Sequence, residues 1–215
     1  MGSSVEGARV SDEREEPAAS RPPESDAASY EQRLQAVHVT PAQPLTGKIV
    51  IALYNEEWPR QYTALAEGIR AALGANVTRL EHAGSTSVPG LAAKPIIDIV
   101  LVVADPANEA SYVPPLEAIG YTLRVREPEW YQHRMLKHTD PEVNLHVFGP
   151  GCVEVERMLV MRDWLRRNAD DRALYERTKR ELAARDWTYT QQYADAKSAV
   201  VEEILGRARA ALGGE

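Results

Sequence analysis

The residues best suited to chemistry lie in one run. It reads His82-Ala83-Gly84-Ser85-Thr86-Ser87-Val88-Pro89-Gly90, then Leu91-Ala92-Ala93-Lys94-Pro95, then an apolar segment from Ile96 to Val103 interrupted by Asp98. Gly84, Ser85, Thr86 and Ser87 offer backbone N–H groups and hydroxyls that can approach anionic oxygens closely, the chemistry of a phosphate cradle. The same residues also suit a tight turn closed by Pro89 and Gly90. A carboxylate in so apolar a strand carries a desolvation cost. Asp98 therefore lies near a strand end, pairs with Lys94 or an arginine, or coordinates a cation. Further along, Asn144 and His146 alternate on one face of a predicted strand. His146 is a candidate proton carrier there, and a hydrogen-bonded structural histidine is the competing reading.

Cations on predicted inner faces form a second set of candidates. On a helical wheel Val155, Met158, Leu159 and Leu165 make an apolar stripe that contains Arg162, and Lys197 lies in the stripe of Tyr193, Val200, Val201 and Ile204. Each such charge needs a carboxylate or an anionic ligand. In one reading Arg162 pairs with Asp98 or Glu81 and Lys197 reaches the rim. In the other, both join Lys94 around a phosphate or carboxylate pocket. Tyr175 and Lys179 would enlarge that pocket; His82, Asn144 and Tyr193 are further candidates for its wall, as is Arg134 beside His133, Lys137 and His138. Arg166, Arg167 and Arg180 read as a solvated helix face. Cys152 has no histidine or aspartate arrangement beside it and reads as structural. Trp58, Trp130, Trp164 and Trp187 lack interleaved basic residues, so they read as packing rather than as a nucleic-acid platform.

These side chains need elements to hold them. Lys48 to Leu53 is the first predicted strand, and Trp58, Tyr62, Leu65, Ile69 and Leu73 recur at helical spacing before the stop at Gly74. Strands are expected at Val77 to Leu80, Ile96 to Val103, Tyr121 to Val125, Tyr131 to Lys137 and Val143 to Phe148, with a proline-interrupted helix from Asn108 to Ile119. Beyond Gly151 the pattern predicts helices over 154–168, 171–185 and 190–211. Residues 1–29 are rich in Glu, Ser, Ala and Pro and read as a disordered acidic tail; 30–46 is a linker or approach segment, 47–211 the folded domain and 212–215 a C-terminal tail.

The composition bounds the partners. A chain of 215 residues makes one domain or a domain with a small appendage. With 32 acidic against 25 basic residues the net charge is −7, which disfavours a nonspecific grip on nucleic acid while leaving room for a local basic pocket. The single cysteine allows no intrachain disulfide and fits a reducing compartment, so a cytoplasmic protein is expected. No run approaches the roughly 18 apolar residues of a membrane span, and the first thirty residues lack a signal-peptide core.

Gly84-Ser85, a loop, and Asp98 on an apolar strand resemble the glycine-serine signature of the nucleotidyltransferase superfamily. More specifically, the His82 to Val103 run resembles the GrpB family. The resemblance includes Tyr54-Asn55-Glu56-Glu57-Trp58-Pro59 before that run and Asn144-Leu145-His146-Val147-Phe148 after it, and spans about residues 48 to 206. Arg162-Asp163-Trp164-Leu165-Arg166, Tyr175, Lys179, Tyr193 and Lys197 resemble the family's C-terminal pattern.

The resemblance implies an α+β, nucleotidyltransferase-like mixed sheet with flanking helices and a C-terminal helical layer. It implies a cleft that binds a nucleotide or another phosphorylated small molecule and transfers a group. Gly84, Ser85, Thr86 and Ser87 would hold phosphate, and Lys94, Arg162 and Lys197 would neutralise it. Asp98 would orient magnesium or a substrate hydroxyl, with His146 carrying the proton. The chain departs from the active pattern: Val100 stands at the second carboxylate place, and Asn144 and His146 occupy the later strand where a third is sought. A non-catalytic ligand-binding or accessory module of a metabolic enzyme, with a protein partner, or a metal-independent acyl or aminoacyl transferase, are the alternatives. Some relatives are fused to dephospho-CoA kinase, but no GxxxxGK[ST] phosphate loop occurs here.

Overall fold

A computed structural model describes residues 27–213. Ile97, Ile99 and Leu101 on one face of strand β2 (Ile97–Val102), and Val100 and Val102 on the other, are all buried, so this strand is covered on both sides. It pairs antiparallel with β1 (Arg79–Ala83) and parallel with β5 (Glu142–Phe148). β4 (His133–Thr139) and β3 (Thr122–Glu127) continue the sheet antiparallel, giving the order β1-β2-β5-β4-β3.

One face packs on α2 (Glu57–Leu73), whose Trp58, Ala66, Ile69 and Leu73 meet Ile97, Ile99, Leu101, Leu145 and Val147; α3 (Val113–Glu117) adds Leu116. Fully burying one such aliphatic side chain stabilises by roughly 1.5–3 kcal/mol. The other face takes Val155 and Leu159 of α4 (Val153–Arg167) against Val100, Val102 and Phe148. α5 (Ala169–Ala183), α6 (Thr190–Asp195) and α7 (Ser198–Leu212) complete a helical layer over the β1–β2 connection. There Val88 and Leu91 pack with Leu165, Tyr175, Val200 and Ile204. Asp171 ties this layer together, accepting from Trp164 Nε1 at 2.6 Å and pairing with Arg207 of α7. The architecture is thus α+β, a mixed sheet flanked by helices.

Several elements differ from the sequence reading. Lys48 to Leu53 is extended but is no strand: its only ladder contact is a bridge between Ala52 and Ala93, and it lies instead along the helical layer through buried Ile49 beside Tyr193. Val50 and Leu53 point outward. The expected helix over 190–211 is two helices, because the chain turns at Ala196 and Lys197. In the region read as tail and approach segment, α1 (Ala27–Val37) packs Tyr30 and Leu34 on Tyr189, and Tyr30 Oη donates to Asp195 at 2.8 Å. The rest of the expected tail, residues 1–26, lies outside the described residues, as do residues 214–215 of the expected C-terminal tail. Asn108 to Ile119 holds a short 3-10 turn and α3 in place of one helix.

Candidate functional site

The centre of the site is an unusually close approach between a glycine and a carboxylate. Gly84 follows β1 with φ 65° and ψ −172°. A Cβ built on it would stand 2.2 Å from Asp98 Oδ2 and 2.9 Å from Asp98 Cγ. Asp98 faces Ala83 across the β1–β2 ladder and Asn144 across the β2–β5 ladder, so sheet pairing holds its carboxylate over the glycine. Only a residue without a side chain fits there, in a conformation that L-residues rarely adopt.

Asp98 is half-buried and accepts from Asn144 Nδ2 at 2.9 Å, with His146 Nε2 3.9 Å from its Oδ1. Burial opposes its ionisation, but His146, the Asn144 hydrogen bond and the charge on Lys197 outweigh it and hold the carboxyl below its ordinary range. It pairs with neither Lys94 nor an arginine among the described residues. Asn144 Oδ1 is buried with no donor.

The lysines converge on this point. Lys179, 2% exposed, donates to Ser85 Oγ at 3.1 Å and to the Ala92 carbonyl, and lies 4.8 Å from the Tyr175 ring centre. Burial and then Lys197 push its ammonium down to about 7. One turn earlier on α5, Glu176 accepts from Ala92 N–H at 3.1 Å, so the helix grips the backbone of the β1–β2 connection from both sides. Lys94 and Lys197 flank the Tyr193 ring at 6.0 Å and 4.8 Å, and burial followed by Lys197 lowers the pKa of Lys94. Among the described residues none of Lys94, Lys179 and Lys197 makes an ion pair with a carboxylate. Three partly or fully buried ammonium groups with no carboxylate in ion-pair contact among the described residues thus lie around Ser85 and Asp98, which suits an anion.

Other sequence candidates are turned away. His82 sits on the opposite face of β1, stacked on Tyr62 with ring centres 4.7 Å apart, and its Nε2 lies 3.1 Å from Thr86 Oγ1. Burial pushes this imidazole down to about 4. Thr86 Oγ1 in turn donates to the Ile96 carbonyl and Ser87 Oγ to the Gly84 carbonyl, so both hydroxyls brace the turn and only Ser85 of the three reaches the lysines. Arg134 also lies on the α2 face and is paired with Glu109 at 2.7 Å, because its neighbours in register, Arg126 and Val147, fix it there. Arg162 is partly buried on its stripe, but spends its guanidinium on Glu81, Asp163 and the His82 carbonyl. Tyr175 and Tyr193 supply aromatic surface beneath the ammonium groups. Arg166, expected on a solvated face, is exposed yet donates to the Ser87 carbonyl.

Asp98 alone is a poor magnesium site: that ion takes about six oxygens in a near-octahedral shell, and Val100 and His146 stand beside this one carboxylate with Lys197 adding positive charge, so water and a ligand's phosphate oxygens would have to complete the shell. Among the described residues no group of three or more His, Cys, Asp or Glu could hold a metal ion. Two surface cavities lie apart from the lysine cluster. One, of about 310 Å³, lies between α2 and the β4–β5 turn and is lined by Gln61, Leu65, Tyr121, His138 and Pro141. The other, of about 250 Å³, lies around Arg79 and Gly151. The lysine cleft is preferred because charge and chemistry converge there. Burial pushes the Cys152 thiol up, in keeping with a structural cysteine. Among the described residues no helix is long and apolar enough to cross a membrane.

Comparison with known proteins places the chain in a family. The family model described as GrpB protein matches residues 48–207. A UPF0157 protein of Halalkalibacterium halodurans is 52% identical over 180 residues, covering 84% of this chain and 92% of that one. A UPF0157 protein of Streptomyces coelicolor is 48% identical over 164 residues, covering 76% and 86%. A dephospho-CoA kinase of Mycolicibacterium paratuberculosis is 32% identical over 157 residues, which are 61% of this chain but 39% of that enzyme. The crystal structure of conserved protein GrpB from Enterococcus faecalis superimposes with a TM-score of 0.63 at 28% identity, covering 74% of this chain and 96% of that one. On the extent of the sequence match and the shared fold, the chain belongs to the GrpB family.

Proposed function

We propose that the cleft between the β1–β2 connection and the helical layer binds a nucleotide or another phosphorylated small molecule and transfers a group to or from it. The observation that carries this reading is the convergence of Lys94, Lys179 and Lys197, without carboxylate partners among the described residues, on Ser85 and Asp98. Burial and then the charge of Lys197 lower the pKa values of Lys94 and Lys179; an anion beside them would offset both and restore them. Ser85 Oγ and the three ammonium groups hold the anion. Asp98, kept ionised, orients a hydroxyl of the ligand, and His146 beside it receives a proton. Val100 at the place of a second carboxylate favours a second reading, a binding module without turnover, and both readings share the anion site.

The test is a thermal-shift panel of nucleotides, dephospho-CoA, CoA and sugar phosphates, with and without magnesium, on the wild type and on Asp98→Asn and Lys179→Met. A ligand at a hundred times its dissociation constant stabilises by about 2.7 kcal/mol. A shift that is lost in Lys179→Met and independent of magnesium supports the anion site. A shift also weakened in Asp98→Asn supports its hydroxyl-orienting role and selects the compound for turnover assays. No shift with any phosphorylated compound refutes the reading.

A further inference from the structure

On the cleft face of the sheet, four side chains from four strands form a diagonal line. Glu127 of β3 is opposite His133 of β4 in register; Met135 of β4 is opposite His146 of β5, so His133 is diagonal to His146; and Val100 of β2 is opposite His146, so Asp98 is diagonal to it in turn. The contacts follow the line. Glu127 Oε2 lies 2.8 Å from His133 Nδ1, His133 Nε2 lies 3.0 Å from His146 Nδ1, and His146 Nε2 lies 3.9 Å from Asp98 Oδ1. The two imidazoles are 21° from parallel with centres 5.3 Å apart, and their facing nitrogens are much closer than their centres. The rings therefore meet edge to edge, in hydrogen-bonding rather than stacking geometry.

The line dictates where the protons sit. An ionised carboxylate only accepts, so the 2.8 Å contact puts a proton on His133 Nδ1. His133 is 4% exposed, and its burial pushes it down to about 4, so near neutrality it holds no second proton and its Nε2 is an acceptor. The 3.0 Å contact then requires the proton on His146 Nδ1. When His146 is neutral it thereby keeps a bare Nε2, which lies 3.9 Å from Asp98; taking up a second proton there gives the cation whose charge holds the Asp98 carboxyl down. Both atoms are then acceptors, so a ligand hydroxyl that approaches them from the side donates its one proton to one of them. The other charged group within reach of His146 is Glu154 of α4, which is paired with Arg157 at 3.0 Å.

We propose that Glu127 and His133 are positioning residues that hold His146 in the tautomer with Nδ1 protonated and Nε2 free, so that Nε2 accepts the hydroxyl proton of a ligand bound in the lysine cleft. In that transfer the O–H bond breaks, its electron pair stays on the ligand oxygen, and an N–H bond forms at Nε2. The identity of the proton donor rests on the function proposed above; the tautomer does not.

Histidine ring nitrogen spectra of the ligand-free, 15N-labelled protein test the tautomer directly, whatever the cleft binds. The expected wild-type result, at neutral to mildly alkaline pH, is a protonated Nδ1 and a bare Nε2 on His146, with the same pattern on His133. His133→Phe fits beside Phe148 and Trp130 and should move the His146 proton to Nε2. His133→Gln, whose amide oxygen can accept from His146, should restore the wild-type pattern. A wild-type His146 carrying its proton on Nε2, or on both nitrogens, overturns the proposal. So does a His133→Phe spectrum in which the His146 pattern is unchanged. If His133→Phe does not fold, the wild-type and His133→Gln spectra decide the question.

Discussion

Gly84→Ala is the sharpest perturbation available, because two independent costs fall on one methyl group. The backbone at φ 65° and ψ −172° lies where residues other than glycine are strained, at roughly 1–3 kcal/mol. The added Cβ would meet Asp98 Oδ2 at 2.2 Å, and the backbone on one side and the β2 ladder on the other leave the carboxylate no room to stay. Its displacement breaks the bond from Asn144 Nδ2, and a hydrogen bond to a charged group contributes roughly 1.5–3 kcal/mol. Against these, alanine stiffens the unfolded chain by about 0.4–1 kcal/mol. The net expectation is a loss of roughly 2–5 kcal/mol, and at about 2–4 °C per kcal/mol for a domain of this size the melting temperature falls by about 10 °C. Gly90→Ala is the control: its φ of 77° carries strain, but nothing lies within 4 Å of its Cβ, so about 1–2 kcal/mol is expected. Urea denaturation of both variants decides the matter. If Gly84→Ala costs no more than Gly90→Ala, the carboxylate contact contributes nothing and the account of this loop is wrong.

Two further expectations concern residues around the site. His82 and His133 are held at about 4, chiefly by burial, against an ordinary value of 6.5. The unfolded chain therefore takes up protons first. The stability these two residues confer is complete above about 6.5 and declines as pH falls toward 4, by up to a factor of ten in the folding equilibrium per histidine per pH unit. His82→Gln should flatten the dependence of the urea midpoint on pH across that window, and an unchanged slope would remove His82 from the account. Arg162→Met leaves Glu81 with Arg79 alone and removes the donor to the His82 carbonyl, and should cost about 2 kcal/mol. Any ligand-induced thermal shift should survive, since the guanidinium is turned to its protein partners; a lost shift would return Arg162 to the ligand.

How much was legible in the sequence depends on the range of the interactions concerned. The apolar run around Asp98, the amphipathic helix from Trp58 and the glycine-serine turn are local patterns, and they define β2, α2 and the loop between β1 and β2 within a few residues. Partial burial of Arg162 followed from its stripe, and Glu81 was one of two partners the sequence offered. Local pattern failed for Lys48 to Leu53: a short continuous apolar run reads as a strand whether it finds a ladder or, as here, lies along helices. It failed too for Arg134 and His82, since a residue's period along a strand does not say which face of the sheet is the cleft.

By itself, then, the sequence determined the class of elements, the presence of an acidic residue on the apolar strand after a glycine loop and the family membership, because these depend on residue type and short spacing. Only the tertiary structure decided which cations meet. Lys94, Lys179 and Lys197 come from three segments brought together by packing of the helical layer, and Lys179 gains its place by gripping the Ala92 backbone. The line from Glu127 through His133 and His146 to Asp98 likewise exists only because the strands stand in the order β2-β5-β4-β3 with this register. A shift of one residue in any of those ladders would turn one member of the line to the opposite face, since side chains alternate along each strand.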